Sequence, residues 1–404
     1  MTGVRLRLFQ VAQWLMLASA ASAVLSIAVC QILLGLALIT WMASEAPLRL
    51  PPIQAPLAAF LVFTLVALAA SSQPSDGWPQ IRKFFVFTVL MVASSTLLEA
   101  RQARWLATGW FLTAAVSALR SLVQFFQKVQ EARAKGEDFY QFYVGERITG
   151  FLSHWVTFSE IGMIVLLVLA SYLFFGPDRS RRTHWLGWLC GALLAASLVV
   201  SFTRGIWIAG AAGGSYLVWR WSKPLLLAAP VALAAGLLVA PPAMKKRLLS
   251  IFDTQTDSSA RARTIMLRTG WRMIQAHPLT GVGLERVGPE FRRYLPPDVS
   301  QLPPAFYAHL HNLYVHYAAE RGLPSVAALL WLLGRILWDH LRALRRAPAT
   351  ERFVLEAVVA VVISLLVGGL FEVNLGDSEV LTVFLALISL GYAAIGRAQA
   401  APQG

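Results

Sequence analysis

The stretch richest in chemistry is Ala308-His309-Leu310-His311-Asn312-Leu313-Tyr314. A histidine near neutral pH can take a proton from a hydroxyl, and a neighbouring amide such as that of Asn312 can orient either the ring or a sugar hydroxyl. The His-x-His spacing also permits a metal, but no cysteine or clustered carboxylate accompanies the pair to complete a usual zinc set. The bland alternative is that both histidines fill half-buried interfacial positions.

Arginines supply the second kind of chemistry. Arg204, in Ser201-Phe202-Thr203-Arg204-Gly205, lies in a short turn between two apolar runs, beside the start of the following helix. Helix N-termini favour anions, so a guanidinium there is either a phosphate seat or an interfacial anchor. Arg147, in Gly145-Glu146-Arg147-Ile148-Thr149-Gly150, opens the approach to another apolar run, with His154 and the ionisable Glu160 beyond it. An ionisable residue inside an apolar span is a functional candidate by default, or else the partner of an arginine. The run from Ala260 to Ala276, preceded by the capping residues Asp257, Ser258 and Ser259 and broken by His277, Pro278, Gly281 and Gly283, predicts a helix. At 100° per residue Arg261, Arg268 and Arg272 fall within about 40° of one another. Met266, Leu267, Trp271, Met273 and Ile274 fall on the other side, with Arg263 among them, where it would have to snorkel. That stripe is either an anion-binding face or a solvated basic surface near anionic lipid.

The elements that position these residues are membrane helices. Of 404 residues, 57% are hydrophobic and 14% charged, and the mean hydropathy is +0.60, a composition whose solvent is lipid rather than water. Apolar runs near 9 to 26, 28 to 45, 56 to 72, 80 to 98, 104 to 126, 156 to 175, 184 to 201, 205 to 220, 224 to 241, 310 to 341, 352 to 371 and 379 to 396 predict about 12 transmembrane helices. The apolar stretch behind Arg5 and Arg7 is too long for a signal peptide's h-region, so it reads as retained helices. Basic residues gather in alternate short connections, at Arg49, at Arg101 and Arg104, at Arg179, Arg181 and Arg182, at Arg220 and Lys223, and at Arg342, Arg345, Arg346 and Arg352. The short connections from Ser71 to Pro79 and from Glu372 to Glu379 hold none, which predicts cytoplasmic termini. Two longer segments, Gln127 to Trp155 and Pro241 to Ala308, then fall outside. The expected organisation is helices 1 to 9 over 1–240 with an outer loop near 127–155, a large helical outer loop over 241–308, and helices 10 to 12 over 309–404. The net charge of +14 is shared by both faces, and basic residues outside suit phosphate-bearing partners. Cys30 and Cys190 sit in separate apolar runs and suggest neither a disulfide framework nor a metal cluster.

His311-Asn312-Leu313-Tyr314-Val315-His316-Tyr317-Ala318-Ala319-Glu320-Arg321-Gly322 resembles the signature of bacterial O-antigen ligases and the related polymerases. The run Met273-Ile274-Gln275-Ala276-His277-Pro278-Leu279-Thr280-Gly281-Val282-Gly283 and the Thr203-Arg204-Gly205 turn are similar to that superfamily too. The resemblance implies a fold similar to C-type lipid-dependent glycosyltransferases in the bacterial inner membrane, with the active site facing the periplasm. It implies transfer of a glycan from undecaprenyl diphosphate to the lipid A-core oligosaccharide by an inverting attack. His311 would be the base. Arg147, Arg204, Arg261, Arg268 and Arg272 would be the diphosphate clamp, with His309 and Asn312 as further substrate contacts. No cofactor, metal or ATP is implied, no P-loop sequence is found, and no nucleic acid is a partner. A glycan polymerase is the nearest alternative, favoured by the spacing of Arg272 and Gly283. A lipid or solute transporter is the alternative of another class, and it would need broken helices and polar groups at mid-membrane.

Overall fold

The computed structural model describes residues 3–177, 180–228, 242–249, 258–303, 305 and 307–400, and among them every regular element is helical. In chain order these are α1 (Gly3–Ser22), α2 (Ile27–Ala43), α3 (Gln54–Ala70), α4 (Trp78–Arg82), α5 (Thr88–Thr96), α6 (Ala100–Lys135), α7 (Phe139–Gly145), α8 (Trp155–Phe175), α9 (Arg181–Val200) and α10 (Arg204–Trp221). They continue as α11 (Pro242–Leu249), α12 (Ser258–Ala276), α13 (Val287–Glu290), α14 (Leu313–Arg321), α15 (Leu323–Ala343), α16 (Ala349–Gly368) and α17 (Ser378–Ala400). Short 3₁₀ turns punctuate the chain, among them Lys83–Phe87 between α4 and α5.

Among the described residues four helices, α6, α8, α9 and α17, are long and apolar enough to cross a membrane, and α2 and α3 are shorter apolar helices. α16 is also long, but it carries Glu351, Arg352 and Glu356. Lipid-facing and central helices separate by burial. The apolar stretches of α8 and α17 are 72% and 78% buried, against 17% for α9, so α8 and α17 form the centre with α16 and α9 lies at the rim. Leu112, Val116, Leu119, Val123 and Phe126 project outward from α6 in the steps of a single helical face, as a lipid-exposed surface requires.

Contacts gather the connections at two ends of the bundle. At one end Arg5 pairs with Glu45, the Arg49 N–H bonds to Ser95, and Arg397 bonds to both Glu351 and the Leu98 carbonyl. At the other, Arg286 pairs with Asp76, Lys83 Nζ donates to the Gly376 carbonyl, Thr157 to Asp377, and the Leu313 N–H to the Gly369 carbonyl.

Several expected boundaries change. The stretch from 80 to 98 is not one helix but α4, a 3₁₀ turn and α5. The helix expected to stop at 126 runs on to Lys135, about 54 Å in all at 1.5 Å per residue, so the first part of the segment beginning at Gln127 is a helical extension rather than a loop. The single span expected over 310 to 341 breaks at Gly322 (φ 84°) into α14 and α15. A side chain at Gly322 would lie 2.1 Å from the Leu279 carbonyl oxygen, so only glycine lets the 277–283 segment pack into the break. The span expected over 224 to 241 lies for the most part outside the described residues.

Candidate active site

The segment that returns into the body at Leu310 is fixed by backbone before any side chain acts. The Leu313 N–H bonds to the Gly369 carbonyl at 2.7 Å and Tyr314 Oη to the Leu366 carbonyl at 2.6 Å. Asn312 caps α14 through Oδ1 to the Val315 N–H (2.9 Å) and donates to the Leu370 carbonyl (3.1 Å). These bonds join the turn before α14 to the turn after α16, and so set His311 opposite Glu372. His311 Nδ1 lies 2.8 Å from Glu372 Oε2, while Arg263 Nη2 lies 2.7 Å from Glu372 Oε1. One carboxylate thus holds a histidine with one oxygen and a guanidinium with the other.

Burial pushes the Glu372 carboxyl upward, but His311 and Arg263 together outweigh it and hold it below the usual carboxylate range. An ionised carboxylate can only accept, so Nδ1 of His311 carries the proton and Nε2 is left as the basic nitrogen. His311 also has φ 47°, in the left-handed region that non-glycine residues uncommonly adopt. Phe202 shares this strain with φ 54°, and such strain persists only where its surroundings enforce it.

These groups border a cavity of about 970 Å³. Arg147, Arg204, Arg247, Arg263 and Arg321 line it, as do His154, His309, His316, Glu160, Glu372 and Asp377. The strained Phe202 carbonyl accepts from Arg247 Nε at 2.9 Å and Arg147 Nη1 at 3.5 Å, drawing two guanidinium groups to one point. Burial pulls the Arg147 guanidinium down to about 9, and the Arg247 cation adds to the shift. A desolvated cation of this kind is stabilised by an incoming anion. Arg204 heads α10, and the glycine behind it permits a close approach. A Cβ at Gly205 would lie 2.7 Å from Phe371 Cβ, so the Thr203-Arg204-Gly205 turn can press against the turn that carries Glu372. Arg321, also in the cavity's lining, is buried, paired with Glu320 at 2.8 Å and stacked 4.1 Å over the Tyr317 ring.

The structure brings part of the expected set together. His309, His311, Arg147 and Arg204 border one cavity. Asn312 does not border it, because its amide holds the turn. Helix α12 ends at Ala276 as expected but begins at Ser258, so that Ser258 and Ser259 lie inside it, while the third expected cap, Asp257, lies outside the described residues. Arg261, Arg268 and Arg272 are exposed together, but none borders the cavity. Arg268 instead makes a two-pronged pair with Asp298, at 2.8 and 2.6 Å. Arg263 does not snorkel. It turns inward to Glu372, and the helix's buried side is formed by Ala262, Ile265, Met266, Thr269, Met273 and Ile274, while Leu267 and Trp271 are exposed. Glu372, Arg247, Arg263 and Arg321 are the site residues that sequence reasoning passed over. The sequence signal for Glu372 was an acidic loop with no basic residue of its own, which demands a partner from elsewhere.

A helical membrane protein with an arginine-lined cavity and a His–Glu pair in its wall is the class these features define. Residues 189–332 match the family model for O-antigen ligase. The match covers about a third of the chain and supports a place for it in the O-antigen ligase superfamily. That segment contains Arg204, Arg247, Arg263, His309 and His311, whereas Arg147, Glu160 and Glu372 come from outside it. Comparison with curated proteins gives no match.

Proposed function

We propose that the protein is an O-antigen ligase, moving a glycan from undecaprenyl diphosphate to a hydroxyl of the lipid A-core oligosaccharide at the periplasmic face of the inner membrane. The observation that carries this reading is the His311–Glu372 pair at 2.8 Å in the wall of an arginine-lined cavity. Nε2 of His311 takes the proton of the acceptor hydroxyl as its oxygen attacks the anomeric carbon. The bond from that carbon to the diphosphate breaks on the opposite face, inverting the centre. The electron pair leaves with the lipid diphosphate, whose charge Arg147, Arg204 and Arg263 are placed to stabilise. The proton on His311 then passes to solvent. The sugar–diphosphate bond supplies the driving force, so no nucleotide, metal or other cofactor enters the scheme. Arg261, Arg268 and Arg272 would meet only the parts of a substrate that extend beyond the cavity.

A polymerase would use the same donor and differ only in its acceptor. Gel analysis of lipopolysaccharide from a deletion strain separates the two. Loss of a ligase leaves bare core while lipid-linked polymer accumulates. Core bearing a single repeat unit would instead identify a polymerase.

A further inference from the structure

Glu160 is the anomaly of the cavity wall. It lies on the second turn of α8, is fully closed to solvent, and neither carboxyl oxygen has a hydrogen-bond partner. The other buried glutamates all have donors. Glu356 accepts from Tyr216 at 2.6 Å and Arg220 at 3.1 Å, Glu351 pairs with Arg397 at 2.6 Å, Glu320 holds Arg321 and the Glu285 N–H, and Glu372 holds His311 and Arg263. A fold that satisfies four buried carboxyls and leaves a fifth bare beside a cavity keeps it bare against a desolvation cost.

Neither oxygen of Glu160 meets a protein donor, and the groups nearby narrow the ligand. Asp377 already accepts from Thr157 at 2.6 Å, and His154 is occupied capping α8 through the Val156 N–H. Among the described residues no group of three or more His, Cys, Asp or Glu is arranged to hold a metal ion. A hydroxyl both donates and accepts, so it can satisfy a carboxyl in either protonation state, whereas a second anion cannot. We propose that Glu160 binds sugar hydroxyls of a glycan in this cavity, so that the arginines take phosphate while the α8 wall takes sugar. This rests on the ligase reading for the presence of a glycan, and the two are tested separately.

The test uses full-length protein in nanodiscs, as wild type, Glu160→Gln and Glu160→Leu. Thermal shifts are read with two probes, lipid-linked glycan and deacylated core oligosaccharide, and initial rates are measured with each substrate varied. Without ligand, both variants should melt at or above the wild-type temperature, because an unpartnered buried carboxyl opposes folding. Glu160→Leu should lose the thermal shift given by one probe and raise the KM for that substrate about tenfold, with kcat little changed, while Glu160→Gln retains part of both. Whichever probe is affected assigns the site to the donor's sugar or the acceptor's. Equal shifts and equal KM values in all three proteins would overturn the proposal, as would variants that melt early and lose kcat alone, or a wild type that neither probe shifts. A wild type that is shifted but transfers nothing would instead sink the ligase reading and leave the Glu160 comparison intact.

Discussion

Glu372 is the residue on which the site's chemistry turns, since its two oxygens fix the tautomer of His311 and the position of Arg263. Glu372→Gln keeps the shape and removes the charge. It should lower kcat by roughly 10²-fold with little change in KM, because it disturbs a proton transfer rather than a substrate contact. Combined with His311→Ala it should add nothing further, as residues acting through one another are not additive. The carboxyl also has a pH signature. Its folded-state value is depressed, so its stabilising contribution is fully present above the ordinary carboxylate value of about 4.3 and is lost as pH falls through the lower folded value. Acid unfolding followed by helical circular dichroism should show this limb in the wild type and lose it in Glu372→Gln.

At the scale of elements, the site is made by approach between turns distant in sequence. Gly205→Val would drive a side chain into Phe371 and part the α10 start from the Glu372 turn, costing roughly 1–3 kcal/mol, read as a lowered melting temperature. Helix α12 gives a sharper contrast. Arg263→Lys should impair transfer strongly, because a point charge replaces the guanidinium that meets Glu372, whereas Arg268→Lys should leave transfer unchanged, since its pair with Asp298 is exposed and lies away from the cavity. Initial rates of the two variants decide this. The helix itself was legible in the sequence from its periodicity and its terminating His277-Pro278, and its exposed arginine stripe followed from the same periodicity. Its docking was not. The arginine that breaks the apolar pattern is the one with a buried partner, and that partner lies 109 residues further on, beyond the reach of local spacing. The break at Gly322 was hidden for a related reason, since an apolar run reads as one span whether or not another segment is packed into it. The histidines stood out because their type is rare in apolar sequence, while the carboxylate that holds His311 was read only as a loop boundary.

Across the whole molecule, the two ends differ in kind. One ties down the terminal helices through ion pairs, Arg5 with Glu45 at the surface and Arg397 with the buried Glu351, and the other gathers the cavity and the residues that line it. The basic bias predicts that the cavity end faces the periplasm. With Cys30 and Cys190 replaced, single cysteines at Gly136 and Pro297 should react with an impermeant maleimide in intact spheroplasts, and one at Arg345 only after lysis. The reverse pattern would invert the topology and with it the supply of substrates. The central claim is that His311 is the base of a glycan transfer that uses nothing but two lipid substrates. It is tested most directly by purified His311→Ala in proteoliposomes with lipid-linked glycan and lipid A-core, in the presence of EDTA. The predicted result is a folded protein with a modestly lowered melting temperature, KM values close to normal and a kcat lower by on the order of 10²–10⁴, beside a wild type that EDTA does not inhibit. A His311→Ala protein that turns over near the wild-type rate would contradict the account.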